Sequence, residues 1–304
     1  MGLLSLAIWL PIACGVLLLA LGRDSNAGAV RWMALVGAFA SFLVTLPLIG
    51  GFDTSTAAMQ FGESLPWIER FNVRYALGVD GLSMWFVPLT AFITVIVVIS
   101  AWEVITERVN QYMGAFLILS GLMVGVFSAL DGLLFYVFFE ATLIPMYFLI
   151  GGFGGALRRA AALKFLMFNL VGGFILLASV IGLFAVSAAG GTPSYLLSDL
   201  AAQPMATNTA RWLMVGFLIA FVIKAPMVPL HTWLPEAAEQ ATPGSSTLMV
   251  GVLDKIATFA MIKFCIGLFP EASAWVAPFM IALALISIIY GAAAAIASTN
   301  LLRL

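Results

Sequence analysis

The sequence FLIAFVIKAPMVPLHTWLPEAAEQ occupies residues Phe217–Gln240 and places a lysine and several prolines in or beside an apolar run. Lys224 lies near the middle of that run, where a charge costs about 2.5–3.5 kcal/mol on insertion scales. Pro226 and Pro229 follow directly, and each removes a backbone donor that a helix needs. Backbone freed at membrane depth is tolerated only where protein or water satisfies it. The stretch therefore predicts a broken helix around a buried ionisable group, which is typical of transport proteins.

The composition of the whole chain predicts a membrane protein. Of its 304 residues, 63% are hydrophobic and 9% are charged, against about 45–50% apolar and about 25% charged in soluble domains. The net charge of −1 argues against a nucleic-acid partner, because no basic surface is available to neutralise phosphates. Cys14 and Cys265 lie in separate apolar runs, a pattern that favours neither a disulfide nor a metal site.

The apolar runs predict about nine transmembrane helices, since about 20 apolar residues cross a bilayer as a helix. They cover residues 2–21, 30–50, 82–102, 112–130, 132–151, 162–187, 211–232, 245–268 and 274–297. The longest polar connections are Gly51–Asp80 and Ala188–Ala210, and neither has the character of a soluble domain. Connections one, three and five are rich in basic residues, namely Arg23, Arg31, Arg108, Arg158, Arg159 and Lys164. The positive-inside rule then predicts an N-terminus outside the cell and odd-numbered connections in the cytoplasm.

Five ionisable residues fall inside the predicted spans: Glu140, Lys224, Asp254, Lys255 and Lys263. Such residues are rare in membranes and usually line a pathway, which favours a proton relay. Structural ion pairs between helices are the alternative. His231, the only histidine, has an ordinary pKa of about 6.5 that suits proton exchange. It could equally bond carbonyls that the prolines free.

Four segments together resemble the antiporter-like membrane subunits of proton-pumping NADH:quinone oxidoreductase, respiratory complex I, and most of all its chain-4 type, subunit M. They are LGVDGLSMWFVPLT at 77–90, FFEATLIPMYFLIGGFGG at 138–155, KAPMVPLHTWLPEA at 224–237 and GVLDKIATFAMIKF at 251–264. The resemblance implies an all-α antiporter-like fold with a broken seventh helix and one complete five-helix repeat. Residues 1–111 would form three N-terminal helices, 112–268 the five-helix proton half-channel, and 269–304 the start of a second repeat.

The resemblance also implies roles for individual residues. Glu140 matches the fifth-helix glutamate and Lys224 the central lysine, a pair that modulates proton affinity in the family. Lys255 matches the eighth-helix lysine that leads onward, and Lys164 matches a sixth-helix lysine nearer the cytoplasm. The chain itself carries no motif for a cofactor or a redox metal, so NADH, flavin, iron–sulfur clusters and quinone are expected in partner subunits. Other membrane-arm subunits, including neighbouring antiporter-like ones, are the expected partners, in a bacterial inner membrane.

The sequence departs from the family pattern in three places. A second histidine usual after HTWLP is replaced within Glu236-Ala237-Ala238. Asp254 stands beside Lys255 where the family commonly has an apolar residue, and it either marks a subgroup or retunes Lys255. The chain ends at STNLLRL, where family members continue into a tenth helix, so these residues alone are not expected to complete a proton path. Two other functions stay open, a subunit of a multisubunit cation/proton antiporter and a membrane subunit of a hydrogenase complex.

Overall fold

The structure is a computed structural model that describes residues 2–191 and 193–300. It is mostly helical, at 76%, because a chain in lipid satisfies its backbone groups internally as helices. The predicted class, a helical multi-pass membrane protein, is confirmed. In chain order the helices are α1 (Leu3–Leu21), α2 (Ala27–Gly51), α3 (Ser83–Ser100), α4 (Val109–Ser128), α5 (Gly132–Ala141), α6 (Leu143–Phe153), α7 (Arg158–Ala189), α8 (Leu197–Ala202), α9 (Thr207–Lys224), α10 (Trp233–Gln240), α11 (Pro243–Leu248), α12 (Asp254–Ala260) and α13 (Pro270–Ala297).

Seven helical stretches within the described ranges are long and apolar enough to cross a membrane, with α5 and α6 counted together as one. They correspond to seven of the nine predicted spans. The other two, 211–232 and 245–268, consist of shorter or more polar segments, so the count of nine is not confirmed. Helix α4 lies at the centre of the bundle, because 83% of the residues in its apolar stretch are buried. Helix α13 lies at the periphery, because none of the residues in its apolar stretch is buried. The division into 1–111, 112–268 and 269–304 stays a prediction.

The predicted break in the seventh helix is confirmed. Helix α9 ends at Lys224, and residues 225–232 form turns before α10 begins at Trp233. Pro226 and Pro229 explain the end of the helix, because neither has an N–H to donate to the preceding turn. The eighth predicted span is irregular in another way. Two π-helical segments, Met249–Leu253 and Met261–Ile266, flank α12.

A β-hairpin occupies the connection that the sequence predicts as a polar loop, Gly51–Asp80. Strand β1 (Gln60–Ile68) pairs antiparallel with β2 (Val73–Val79). Asn72 links the strands at a φ of 50°, a left-handed conformation in which asparagine is enriched. The middle of β2 contacts the bundle, since Leu130 donates its backbone N–H to the Ala76 carbonyl over 2.9 Å. The hairpin is therefore attached to one end of the helical bundle.

The two ends of the bundle are distinct, and we name them by what lies there. The hairpin end carries β1, β2 and the 129–132 and 194–197 segments, where Asp131 pairs with Leu196. The opposite end, called the α10 end, brings the first, third and fifth connections together. Asp24 accepts bonds from the backbone of Arg108 and Val109 at 3.0 and 3.1 Å, and the Arg108 guanidinium donates to the Gly152 carbonyl over 2.5 Å. The basic connections thus share one end, as the charge pattern requires.

Candidate functional site: a buried lysine at two helix breaks

Lys224 is buried, with only 2% of its surface exposed, at the C-terminus of α9. Its ammonium donates to the Phe139 carbonyl over 3.1 Å and to the Thr142 hydroxyl over 3.3 Å. It also lies 3.7 Å from the centroid of the Phe139 ring. Neither of the two ion pairs found between described residues includes this lysine. Neutral acceptors therefore satisfy the buried charge, although they stabilise an ammonium less than a paired carboxylate would.

The residues that bind Lys224 lie at a second helix break, which was not predicted from the sequence. Thr142 alone separates α5 from α6 in the span 132–151, and its φ of −61° and ψ of −25° are helical, so this second break is a local interruption of one helix. Pro145 explains the division, since it has no N–H for the Ala141 carbonyl and its ring crowds that carbonyl. Lys224 and the Thr142 hydroxyl both donate to the Phe139 carbonyl, the hydroxyl over 2.7 Å. Pro145 was the available sequence signal for this break.

Trp233 supports the end of α9 from the other side of the break. The last carbonyls of a helix have no partner within it, and the Ile223 carbonyl accepts from the Trp233 indole N–H over 2.8 Å. The indole is fully buried and packs edge-on against Phe165 of α7 at 5.4 Å between ring centroids. Trp233 thereby fixes the backbone from which Lys224 projects.

Glu140 lies on the same turn as the two acceptors of Lys224. Its carboxylate packs against Gly173 of α7, where a Cβ would collide with the carboxyl atoms. Oε1 is buried and has no hydrogen-bond partner among the described residues. The Glu140 carboxylate and the Lys224 ammonium interact electrostatically. They do not form an ion pair in direct contact. The structure brings the two residues into one site.

Asp254 and Lys255 are neighbours that face different surroundings. Asp254 is 8% exposed, its Oδ1 is buried without a partner among the described residues, and its charge acts on Lys224. Lys255 is exposed, and its ammonium donates to the Val250 carbonyl over 2.8 Å. The structure therefore brings Asp254, and not Lys255, to the buried lysine.

Lys164 and His231 lie in an open groove of about 1040 Å³ at the α10 end. Lys164 forms an ion pair with Glu236 over 2.5 Å, and their side chains are 29% and 45% exposed. His231 lines the same groove, packs edge-on against Tyr290 at 4.9 Å, and has a buried Nδ1 without a partner among the described residues. Glu236 and Glu239 line the groove as well, so it collects two acidic side chains beside Lys164 and His231.

Lys263 lies apart from these groups, at the hairpin end, where it forms an ion pair with Asp80. Burial opposes ionisation of Asp80, but the bonds and charge of Lys263 together with the bonds from Ser83 outweigh it and lower the pKa of Asp80. An aromatic cluster lies between this pair and Lys224: Phe135, Phe139, Phe217, Phe221 and Phe264. The cluster is apolar and separates the central site from the hairpin end.

Asn169 is a buried polar residue that was not singled out from the sequence. It is 4% exposed and lies on α7 between Lys164 and Gly173, one helical turn from the glycine that contacts Glu140. Its amide donates to the Phe165 carbonyl over 2.8 Å, and its Oδ1 has no partner among the described residues. An asparagine in the middle of the apolar run Phe165–Ala178 was the sequence signal that could have identified it.

Comparisons with known proteins identify the family to which this arrangement belongs. Residues 129–304 match the family described as NADH:quinone oxidoreductase/Mrp antiporter, transmembrane. The chain belongs to this family. The NADH:quinone oxidoreductase/Mrp antiporter family thus accounts for the antiporter-like fold, and the matched residues include every member of the candidate site.

Relatives within the family are similar over nearly the whole chain. NADH-quinone oxidoreductase subunit M of Mycobacterium tuberculosis is 37% identical over 98% of this chain and 60% of its own length. NADH-ubiquinone oxidoreductase chain 4 of Arabidopsis thaliana is 39% identical over 94% of this chain and 57% of its own length. A chain in the structure of respiratory complex I from Thermus thermophilus with bound NADH superposes with a TM-score of 0.87 at 35% identity, over 99% of this chain and 60% of that chain. This chain therefore spans about 60% of the length of such relatives.

Proposed function

We propose that the protein is a membrane-arm subunit of a proton-pumping NADH:quinone oxidoreductase and passes protons through Glu140 and Lys224. The similarity to subunit M and chain 4 relatives over nearly the whole chain supports the assignment to that complex. The observation that carries the relay is the position of Lys224, which is buried at two helix breaks and bonded to the turn that holds Glu140. A structural lysine in lipid would more simply be replaced by an apolar residue.

The chemistry of the pair follows from electrostatics in a medium of low dielectric constant. A nearby carboxylate favours the ammonium form of a lysine, and neutralising or displacing that carboxylate favours the neutral amine. The Lys224 ammonium has only neutral direct acceptors, so its protonation depends strongly on the charge of Glu140 and Asp254. A conformational change that alters the separation of Glu140 and Lys224 would then load or release a proton.

Protons enter this site from the α10 end in our proposal. The groove there holds the ion pair of Lys164 and Glu236 and is also lined by the half-buried His231, close to the broken helix. Asn169 and Glu140 each present a buried oxygen without a protein partner between the groove and Lys224, and water bridging such oxygens would complete a hydrogen-bonded path. The aromatic cluster on the hairpin side opposes direct passage to that end, because it offers no group that can carry a proton.

The redox chemistry belongs to partner subunits in this proposal. NADH, flavin, iron–sulfur clusters and quinone would be bound there, and neighbouring membrane-arm subunits would contact this chain. The basic α10 end would face the cytoplasm of a bacterial cell, with the N-terminus outside the inner membrane, as the distribution of arginines favours. The membrane subunits of cation/proton antiporters share the family, so the assignment to an NADH-driven complex needs a direct test.

That test is purification of the full-length protein, through an affinity tag, from membranes of the organism that makes it. We expect NADH:quinone oxidoreductase activity and NADH-oxidising subunits to co-purify with it, and reconstituted vesicles to take up protons on addition of NADH. Exchange of Na⁺ for protons without NADH dependence, in a preparation that lacks NADH-oxidising subunits, would assign the chain to an antiporter complex instead.

A further inference from the structure

Asp254 occupies an unusual position in the bundle. It begins α12 directly after the π-helical segment Met249–Leu253, and π-helical turns are frequent at functional sites. Helix α12 packs against α9, so the carboxylate is held beside the helix that ends in Lys224. It is 8% exposed. A carboxylate this deeply buried is costly unless a partner compensates it.

The surroundings of the carboxylate supply two candidate partners, one buried and one exposed. The charges of Lys255 and Lys224 act on Asp254, whereas its Oδ1 accepts no hydrogen bond from any described residue. Lys224 is itself influenced by two carboxylates, Glu140 and Asp254. Glu140 reaches it from α5, and Asp254 from α12. The buried lysine therefore interacts electrostatically with acidic groups on two different helices.

We propose that Asp254 is a second proton partner of Lys224, which takes the proton that Lys224 releases and passes it toward Lys255. The inference rests on the proposed function and adds a direction to it. In the step, the Lys224 ammonium loses one proton and becomes an amine, and the Asp254 carboxylate gains it and becomes a carboxylic acid. The pair is neutral overall before and after the transfer, so no net charge is buried or removed.

The same geometry explains how Lys255 can take part without facing Lys224. Its ammonium nitrogen lies 2.8 Å from the Val250 carbonyl, and Val250 lines the groove at the α10 end. Asp254 directly precedes Lys255 in the chain and is buried, whereas Lys255 is exposed. Asp254 thus neighbours a buried and an exposed lysine, and its protonated carboxyl can donate to the Lys255 amine once the exposed Lys255 ammonium has released its own proton to water.

The test uses the complete NADH-driven complex with Asp254→Asn, Asp254→Glu, and Asp53→Asn as the matched control in an exposed loop. We expect Asp254→Asn to lower NADH-driven proton uptake per electron about tenfold or more, as loss of a proton-transfer group does. Asp254→Glu should retain most of the uptake, and Asp53→Asn all of it. Infrared difference spectra should show a protonated carboxyl that shifts on aspartate isotope labelling and is lost in Asp254→Asn.

The outcomes separate this proposal from the relay on which it rests. Full uptake in Asp254→Asn, with uptake abolished in Lys224→Ala, would overturn the role of Asp254 and leave the relay standing. Full uptake in Lys224→Ala would overturn the relay itself. If Asp254→Asn does not assemble, the infrared spectra of Asp254→Glu decide: loss of the band that shifts on aspartate labelling supports the transfer, and retention of that band contradicts it.

Discussion

The ammonium nitrogen of Lys224 lies 3.1 Å from the carbonyl oxygen of Phe139 and 3.3 Å from the hydroxyl of Thr142, so two hydrogen bonds from one lysine join the end of α9 to the interruption between α5 and α6. One break follows from prolines after Lys224, and the other from Pro145 after Phe139. Each break frees backbone groups that would otherwise be locked in a helix. A lysine placed there can exchange its hydrogen-bond partners without unfolding either helix.

Substitution of Gly173 tests whether proton uptake depends on the position of the Glu140 carboxyl. A methyl group added at Gly173 would collide with that carboxyl, whereas one at Gly172 would meet Ile223 and the Ala220 carbonyl at ordinary distances of 3.4 Å or more. We expect Gly173→Ala to lower NADH-driven proton uptake of the assembled complex by about tenfold, since small displacements of reacting groups are costly. Gly172→Ala is the control and should pump normally. Equal uptake by the two variants would show that Glu140 need not lie against α7.

Substitution of Thr142 tests whether the neutral hydrogen-bond acceptors of Lys224 stabilise the fold. Its hydroxyl accepts from the ammonium over 3.3 Å and donates to the Phe139 carbonyl over 2.7 Å. Thr142→Val removes both bonds at constant shape, and we expect it to lower the free energy of unfolding in detergent by about 1.5–3 kcal/mol, as for bonds to charged groups. Thr142→Ser keeps the hydroxyl and should cost less than half as much. An unchanged melting temperature in Thr142→Val would argue that Lys224 is uncharged or bonded elsewhere.

Substitutions of Lys164 and Glu236 distinguish a functional role of this ion pair from a structural one. Their side chains are 29% and 45% exposed, and exposed pairs contribute about 0–1 kcal/mol to stability. We therefore expect Lys164→Met and Glu236→Gln to leave the melting temperature almost unchanged while slowing proton uptake. A double variant should be no slower than the worse single variant, because both changes act on one entry step. Additive losses of uptake would place the two residues in different steps.

Asp80 and Lys263 give a stability that depends on pH. The pKa of Asp80 is lowered because the bonds and charge of Lys263, with the bonds from Ser83, outweigh burial. A carboxyl whose pKa is lower in the folded state stabilises the fold above its ordinary pKa of about 3.9 and loses this effect as the pH falls. We expect the melting temperature to fall with acidification below about pH 5, and the fall to be smaller in Asp80→Asn. If the melting temperature falls equally with pH in the unaltered protein and in Asp80→Asn, Asp80 does not contribute to the pH dependence of stability.

The membrane class and the broken helix could be predicted from the sequence, because a helix that only spans a bilayer rarely carries a lysine and prolines inside its apolar run. The hairpin could not, since residues 51–80 have the turn-rich composition of a loop and β1 is mostly exposed. The break at Thr142 was also missed, although Pro145 lies three residues away. Periodicity cannot decide whether Asp254 or Lys255 faces inward, because the π-helical segment shifts the register directly before them. Asn169 could not be identified from the sequence in the same way, because its amide carries no charge whose cost in lipid would mark it.

The most direct test of the proposed relay is NADH-driven proton uptake per electron in membrane vesicles that contain the assembled complex with Glu140→Gln or Lys224→Ala. Glu69→Gln, in an exposed turn of the hairpin connection, is the control, and the amount of assembled complex is measured alongside. We predict normal assembly, with uptake largely lost in both site variants and unchanged in the control. Full uptake in Glu140→Gln and Lys224→Ala would contradict the relay.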